Sequence, residues 1–389
     1  MVPIQYNVRS LFVRKVTTIA TAVGIALVVF VFAGSLMLRH GISQALTTSG
    51  RPDTVIVLRK GSDNELSSAI TNEALQLLKG GHAEVAQLEG GAAVIGEVVV
   101  VLAAERSDGS GAVSNVSLRA TSADALKLRP EIKVVEGRAP KPGTNEVMVG
   151  KGIAGRFKGM GMNGTFDMRH NRPLQVVGVF TADGSSYESE VWGDIDVIRR
   201  ALGREQGVSS ARVRLNKPSD FDSFRASVEG DKRTSLKVMR EADYFEKQSE
   251  ALSGFLSGMG IAFAIMFSLA AMLGAAITMN GAVAGRSREI GTLRALGFSR
   301  FSILTSFLIE ALLLAIIGGI IGSVLVLLLS FVSFPVMNFS TFSEIVIRFQ
   351  AESSIFVKAL IFSSVMGLIG GLFPAIRASR VSPVEAMRA

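Results

Sequence analysis

The chain of 389 residues contains no cysteine. Disulfides and thiolate metal sites are thereby excluded, and any large domain must hold together on its own apolar core. Histidine is scarce as well. His40, His82 and His170 stand far apart, with no metal-ligand spacing. No G-x-x-x-x-G-K-[ST] loop, G-x-S-x-G elbow or H-E-x-x-H helix occurs. An active site carried by this chain alone is not expected: no catalytic residue, no metal and no bound cofactor of its own.

Charge is missing from long stretches. The composition is 48% hydrophobic, with a mean hydropathy of +0.40. Four runs, Val16–Leu38, Leu252–Ala284, Phe301–Phe334 and Ile355–Arg377, are long enough to cross a bilayer, for which about 20 residues suffice. The second and third exceed that length and are expected to tilt or to continue as stalks. Between Phe301 and Phe334 the one carboxylate is Glu310. By helix rise it lies about 15 Å beyond Arg300. A carboxylate at that depth faces protein or is protonated, and a packing anchor is favoured over a proton relay because no second intramembrane acid or histidine accompanies it.

The formal net charge of +8 is mostly a topology signal. Arg9, Arg14 and Lys15 precede the first run, Arg286, Arg288, Arg294 and Arg300 separate the second from the third, and Arg377, Arg380 and Arg388 follow the fourth. Lysine and arginine mark the cytoplasmic side. Both termini and the middle loop are therefore expected inside, with the long segment between the first two spans and the loop around 338–350 outside. The arginines flank spans instead of forming one basic face, which argues against nucleic acid as a partner. The first apolar run exceeds the usual signal-peptide core and has no clear small-x-small cleavage site. Ile4, Val8, Leu11 and Phe12 share one helical face, which predicts an interfacial helix over 1–15.

The long outer segment alternates strand and helix signals. Strands are predicted over Thr54–Leu58, Ala92–Leu102, Val113–Ala120, Ile132–Val135, Asn145–Val149, Thr165–Met168, Leu174–Phe180, Ala211–Leu215 and Ser235–Met239. Helices are predicted over Leu66–Leu78, Ala123–Leu128, Ile153–Phe157, Asp194–Leu202 and Phe221–Val228. From Glu241 a helix runs without a breaker into the second span. Glycine and proline around 136–143 mark a boundary, giving a mixed α/β lobe over 52–136 and 206–240 with a mostly β lobe over 137–205 inserted.

Gly150, Gly152 and Gly155 match G-x-G-x-x-G, but no repeating βαβ follows, and a turn is the better reading than a dinucleotide site. Gly254 and Gly258, Gly318 and Gly322, and Gly367 and Gly371 stand four apart, a spacing that lets helix backbones approach. The first pair could meet a second protomer; the other two read as packing within the bundle. In the middle loop Ile290, Leu293 and Leu296 form an apolar stripe, Gly297 suits the position just past a helix end, and Ser299 restarts the chain as an N-cap.

The stretches RSREIGTLRALGFSR (Arg286–Arg300), FLIEA (Phe307–Ala311), Gly318–Gly322 and PAIRASRVSPVEAMR (Pro374–Arg388) resemble the permease family named for FtsX and MacB, the mechanotransmission class of ABC transporters. EGRAP, NEVMVG and VVGVF in the outer segment are similar to it too. The resemblance covers the chain in order and implies a membrane α-helical fold with four transmembrane helices and a large extracytoplasmic α/β domain. Its boundaries would be an interfacial helix 1–15, spans 16–38, 252–284, 301–334 and 355–377, an outer domain 39–251 and a short outer loop 335–354. The outer domain would hold a porter-like lobe, 52–136 and 206–240, and a sabre-like lobe, 137–205.

The resemblance makes 285–300 a cytoplasmic coupling helix and 378–389 a cytoplasmic tail. It implies a homodimer, or a heterodimer of similar subunits, bound to two copies of an ATPase that holds ATP and Mg. About 15 residues precede the first span, so that ATPase is expected to be a separate polypeptide. Ile290, Leu293 and Leu296 would fill a groove on it, with Arg286, Arg288, Glu289 and Arg294 around them and Gly297 ending the helix. A bacterial inner-membrane location, a periplasmic adaptor and an outer-membrane channel are further implications. The function expected is MacB-type export; the alternatives are FtsX-like signalling to an outer hydrolase and LolC/LolE-like release of lipoproteins.

Overall fold

The computed structural model describes residues 11, 13, 15–47, 49–89, 91–168, 172–203, 207–338 and 341–382. Most of the helix expected over 1–15, His170 and most of the tail 378–389 lie outside the described residues. The chain divides into two units: a helical unit of Met1–His40, Phe255–Val332 and Arg348–Ala389, and an α/β unit of Gly41–Gly254 and Ser333–Ile347.

Among the described residues, four helices are long and apolar enough to cross a membrane, and the helical unit is built on them. They are α1 (Lys15–Thr47), α6 (Glu241–Gly285), α8 (Arg300–Val326) and α9 (Ser353–Ser379). The first two extend beyond this unit. Lipid gives no hydrophobic drive between helices, so close packing must hold them, and the small residues supply it. A Cβ at Gly318 would sit 2.8 Å from the Ala22 carbonyl oxygen, and one at Gly322 would sit 2.5 Å from that of Ala26. Gly367 and Gly371 press on Ala315 and Ala311 in the same way, and Gly260 on Ser35. Between these contacts Ile25, Val29, Ala33 and Met37 pack with Ala315, Ala359 and Met366. Phe32 stacks on Phe362 with ring centres 4.3 Å apart. The opposite faces, such as Leu269, Leu273 and Ile277, are exposed in the chain and suit acyl chains.

The third apolar run is helical only to Val326. A 3-10 turn, Leu327–Phe331, follows, and then strand β13 (Ser333–Met337). Pro335 lies inside β13 and holds Phe334, the residue before it, in an extended conformation. Strand β14 (Glu344–Arg348) pairs with β13. The expected short outer loop 335–354 is thus largely a hairpin, and its Ser333–Ile347 stretch belongs to the α/β unit.

The remaining strands of that unit are β1 (Thr54–Arg59), a minor pair β2 (Gln87–Leu88) and β3 (Gly91–Ala92), β4 (Val94–Glu105), β5 (Val113–Thr121), β6 (Lys133–Gly137), β7 (Glu146–Gly150), β8 (Thr165–Asp167), β9 (Pro173–Thr181), β10 (Glu190–Asp194), β11 (Ser210–Arg214) and β12 (Leu236–Arg240). Its short helices are α2 (Asn72–Lys79), α3 (Ala125–Leu128), α4 (Ile195–Leu202) and α5 (Phe221–Gly230). One sheet of ten strands runs in the order β12-β1-β11-β4-β5-β10-β7-β9-β6, with β8 on β9. β4 is the hinge of this order. Val94–Glu97 pairs with β11, and Val98–Glu105 pairs with β5.

The division expected at residue 137 is corrected by this pairing. β7, β9 and β10 do not form a sheet of their own. Glu190–Asp194 of β10 lies parallel to Ser117–Thr121 of β5, and β6 pairs with β9 across the expected boundary. A glycine- and proline-rich turn marks where the chain bends, but parallel pairing joins strands far apart in sequence. Local expectations also shift. The helix predicted over Leu66–Leu78 starts only after its N-cap Thr71, since the Ser67 amide donates to the Asn64 side chain in a turn and the Ser68 hydroxyl accepts from the Arg59 amide of β1. Ile153–Phe157 is turn instead of helix, and Gly155 takes φ +74° there.

Candidate functional site

α7 (Ser287–Ala295) joins α6 to α8. Its C-terminal end closes as the residue types require. Gly297 has φ +94°, and the Phe298 amide donates to the Leu293 carbonyl at 3.1 Å. Arg294 Nη1 adds a bond to the Phe298 carbonyl at 3.2 Å. Ser299 then caps α8, accepting from the Ser302 amide.

The helix lies against its own bundle. Ile290 is 3% exposed, in a cluster with Met279, Val283, Ile303, Phe307, Ala311, Ala375 and Ala378, and Leu293 packs on the same cluster half-buried. The expectation that Ile290, Leu293 and Leu296 fill a partner's groove together is corrected for Ile290, whose side chain is buried in the bundle, while Leu293 is shared between the bundle and the surface. A helical period reveals an apolar stripe but not whether the bundle or a partner receives it. The surface left outward holds Arg288, Glu289, Thr292, Ala295 and Leu296, with Leu296 73% exposed and the nearby Phe301 68%.

Arg286 ties this helix to the bundle. Its Nη1 donates to Glu310 Oε2 at 3.2 Å, its Nε to Glu289 Oε2 at 3.2 Å, and its guanidinium lies 5.8 Å from the Phe307 ring centre. Glu310 is buried, and its charge meets a guanidinium from the connecting segment. Removing either partner would leave the other charge in an apolar site.

The helix-packing glycines separate into two groups. Gly318, Gly322, Gly367 and Gly371 make the close approaches given above. Gly254 and Gly258 are exposed, and among the described residues nothing comes within 4 Å of a Cβ built on either. Gly150 and Gly152 press on the backbone of Glu188, where a Cβ would fall 2.2 Å and 2.9 Å from its carbonyl oxygen. The G-x-G-x-x-G match therefore serves a chain crossing.

Within the α/β unit lies a buried ionic network that the sequence reading missed. Arg119 binds Glu65 at 3.0 Å, Glu97 at 2.7 Å and Glu190 at 2.7 Å. Arg129 binds Glu97 at 2.7 Å, and Arg212 binds Glu241 at 2.8 Å and Glu65 at 3.3 Å. Arg129 also lies 5.1 Å from the Tyr187 ring centre and 5.3 Å from that of Trp192. Burial alone would raise the Glu65 carboxyl, but the Arg119 and Arg212 guanidiniums overcome it and hold it at about 2. Glu97 is likewise held well below its ordinary range: burial opposes, and Arg129, Arg119 and Arg212 prevail.

Glu241 is the first residue of α6, so the network grips the head of that helix. A carboxylate there suits the helix N-terminus, and it also accepts from the Tyr187 hydroxyl at 3.1 Å and the Arg51 amide at 3.4 Å. Gly50 allows the chain to cross beside it, since a Cβ would lie 2.5 Å from the Ala242 Cα. The available signal was charge inside apolar strands: Glu97 in VIGEVVVV, Arg119 in SLRA, Arg212 in ARVR.

Comparison with known proteins follows the same two parts of the chain. A family model described as MacB-like periplasmic core domain matches residues 16–230, more than half of the chain, and one described as FtsX-like permease C-terminal matches 261–383. An uncharacterized ABC transporter permease of Methanocaldococcus jannaschii is 26% identical over 226 residues, covering 56% of this chain and 55% of that one. The macrolide export ATP-binding/permease protein MacB of Burkholderia thailandensis is 28% identical over 230 residues, covering 56% of this chain and 33% of the relative. The matched stretches thus span about half of the first relative and a third of the second. Among solved structures, the periplasmic region of MacB from Actinobacillus actinomycetemcomitans aligns at 14% identity and TM-score 0.37, over 51% of this chain and 92% of that one. The extracellular domain of the noncanonic ABC-type transporter YknZ from Gram-positive bacteria aligns at 18% identity and TM-score 0.36, over 48% of this chain and 99% of that one.

Proposed function

This chain belongs to the MacB/FtsX family of ABC transporter permeases, and from that premise we propose that it couples ATP hydrolysis on a separate ATPase subunit to a conformational change of its α/β unit that exports a substrate. In this reading α7 is the coupling helix on the cytoplasmic side. Its outward surface, Leu296 bordered by Arg288, Thr292 and Ala295, meets the ATPase, because exposed apolar anchors with a charged rim carry most interface energy. Two copies of the chain pair with two ATPase copies, and ATP and Mg are held by the partner. The protein would sit in the bacterial inner membrane with both termini cytoplasmic, and a periplasmic adaptor and outer-membrane channel would take over the cargo.

The observation that carries this reading is the single helix α6. It starts at Glu241, inside the buried network of the α/β unit, and ends at Gly285, next to Arg286 and the coupling helix. A hydrogen-bonded helix of 45 residues is about 68 Å long at 1.5 Å per residue, long enough to carry displacement through a bilayer and beyond. The test is purification of the tagged chain from its native membrane. An ATP-hydrolysing subunit should copurify, and Leu296→Asp should lose it while the chain remains membrane-inserted. Normal copurification with Leu296→Asp would remove the coupling surface from that face.

A further inference from the structure

Three segments of the α/β unit converge on one buried side chain of the β13–β14 hairpin. Glu344 is 5% exposed. Its Oε2 accepts from Arg106 Nη2 at 2.5 Å and from Ser114 Oγ at 2.9 Å, and its Oε1 pairs with Arg156 Nη2 at 2.9 Å. Arg106 follows the end of β4, Ser114 lies in β5, and Arg156 lies in the turns after β7. The docking continues along the hairpin. Ser117 Oγ meets Ser343 Oγ at 2.8 Å, Asn115 Nδ2 donates to the Phe342 carbonyl at 2.9 Å, and the Val346 amide donates to Ser189 Oγ at 2.9 Å. Phe342 holds φ +52° at this point. A bulky residue in the left-handed region is strained and persists only where its surroundings over-determine it.

β5 carries both anchorages. Ser114, Asn115 and Ser117 hold the hairpin, and Arg119, two residues on, holds the network that grips the head of α6. The chain reaches β5 from α7 by two routes. One runs back along α6 to Glu241. The other runs forward along α8, through the turn Leu327–Phe331, into the hairpin. We infer that the β13–β14 hairpin is a second transmission strut, with Glu344 as the positioning residue that fastens α8 and α9 to β5. On this inference α7 drives the sheet through two separate points, and a shift of α6 against α8 becomes a bending of the sheet about β4. A single lever would only displace the unit as a body. The inference rests on the coupling reading proposed above and adds a residue and a route to it.

The experiment uses the full chain in nanodiscs, alone and in complex with its copurified ATPase, and reads amide hydrogen exchange. In the chain alone, Glu344→Gln removes the charge and keeps the shape. Exchange at Val346 and its hairpin neighbours should rise about tenfold or more, since hydrogen bonds to a buried charge are among the strong ones. In the complex, the nucleotide-dependent change in exchange over Val113–Thr121 should fall at least about fivefold, with ATP hydrolysis kept within about twofold, because only the route to β5 is cut. The chain has no native cysteine, so Ser117→Cys with Ser343→Cys can form only the intended disulfide within the subunit. Oxidised, that pair should restore the β5 response in the Glu344→Gln background, and reductant should abolish it again, an outcome a merely structural role for Glu344 would not produce. A β5 response that survives Glu344→Gln, or an oxidised pair that abolishes the response in the otherwise native chain, overturns the strut and leaves the coupling reading standing. A native complex with no nucleotide response at all sinks the coupling reading and the strut with it.

Discussion

At the scale of single residues, Arg286 and Glu310 are joined at 3.2 Å, and both are largely shielded from solvent. An ion pair in such a site adds little net stability as a pair, but a lone buried charge costs about 3–5 kcal/mol. Arg286→Ala should therefore lower the thermal stability of the nanodisc-held chain more than Glu310→Gln does. The double variant should recover part of the loss, because the neutral amide no longer needs the guanidinium. Equal losses in both single variants and strict additivity in the double would show that the pair does not act as a unit. Nothing in the local sequence connects residues 286 and 310. Glu310 was conspicuous as a charge in an apolar run, but its partner could be named only once α7 was folded against α8. The same holds for Leu293 and Leu296, which share one stripe in sequence and have different surroundings in the fold.

At the scale of elements, α6 is the decisive one. Proline inside a helix removes a hydrogen bond, clashes with the carbonyl four residues earlier and costs about 3 kcal/mol or more. Gln248 is a poor place for that test, because its Oε1 accepts from Asn338 Nδ2 at 3.3 Å, so a change there disturbs two things at once. Glu250 is exposed on the same helix. Glu250→Pro should leave membrane insertion, ATPase association and ATP hydrolysis in place and abolish the nucleotide response of the α/β unit, read by hydrogen exchange over β5. A full response with proline at that position would mean that α6 does not carry the motion. The existence of this helix was legible in the sequence, since no breaker separates Glu241 from the apolar run. The hairpin after α8 was not, because Ser333–Met337 continues an apolar run, and only Pro335 hinted that the helix had ended.

For the α/β unit as a whole, the network of three arginines and four glutamates sets an acid limit. Glu65 is held at about 2 against an ordinary 4.5, and Glu97 is lowered in the same direction. A carboxyl whose folded value is depressed stabilises the fold fully above its unfolded value and loses that contribution as pH falls through the folded one. The midpoint of thermal unfolding should therefore be flat above pH 4.5 and fall between there and about 2. Trp192, the one tryptophan of the chain, donates to Glu190 inside the network and supplies the fluorescence signal. Glu65→Gln should be less stable at neutral pH and show a shallower acid slope. An unchanged slope would place the acid sensitivity elsewhere, for example at Glu146 or Asp231, which are also lowered by arginine partners and lie half-buried at the surface.

The amino-acid sequence by itself determined the two-part character of the chain. Long apolar runs bounded by arginine have the length and composition of spans, an alternation of β-branched strands and short helices without cysteine needs a packed α/β core, and Gly297 and Ser299 mark where α7 ends and α8 begins. These are local properties, decided by hydrophobicity, backbone freedom and hydrogen bonding over a few residues. Tertiary structure alone decided the rest. It joined the strands beyond residue 137 to β4 and β5 in one sheet, turned Ile290 inward, and gathered Glu65, Glu97, Arg119, Arg129, Arg212 and Glu241 around the head of one helix. Such contacts depend on strand pairing between distant segments and on which face of an element is covered. A buried charge is identified by its partners, and those partners meet only in the folded chain.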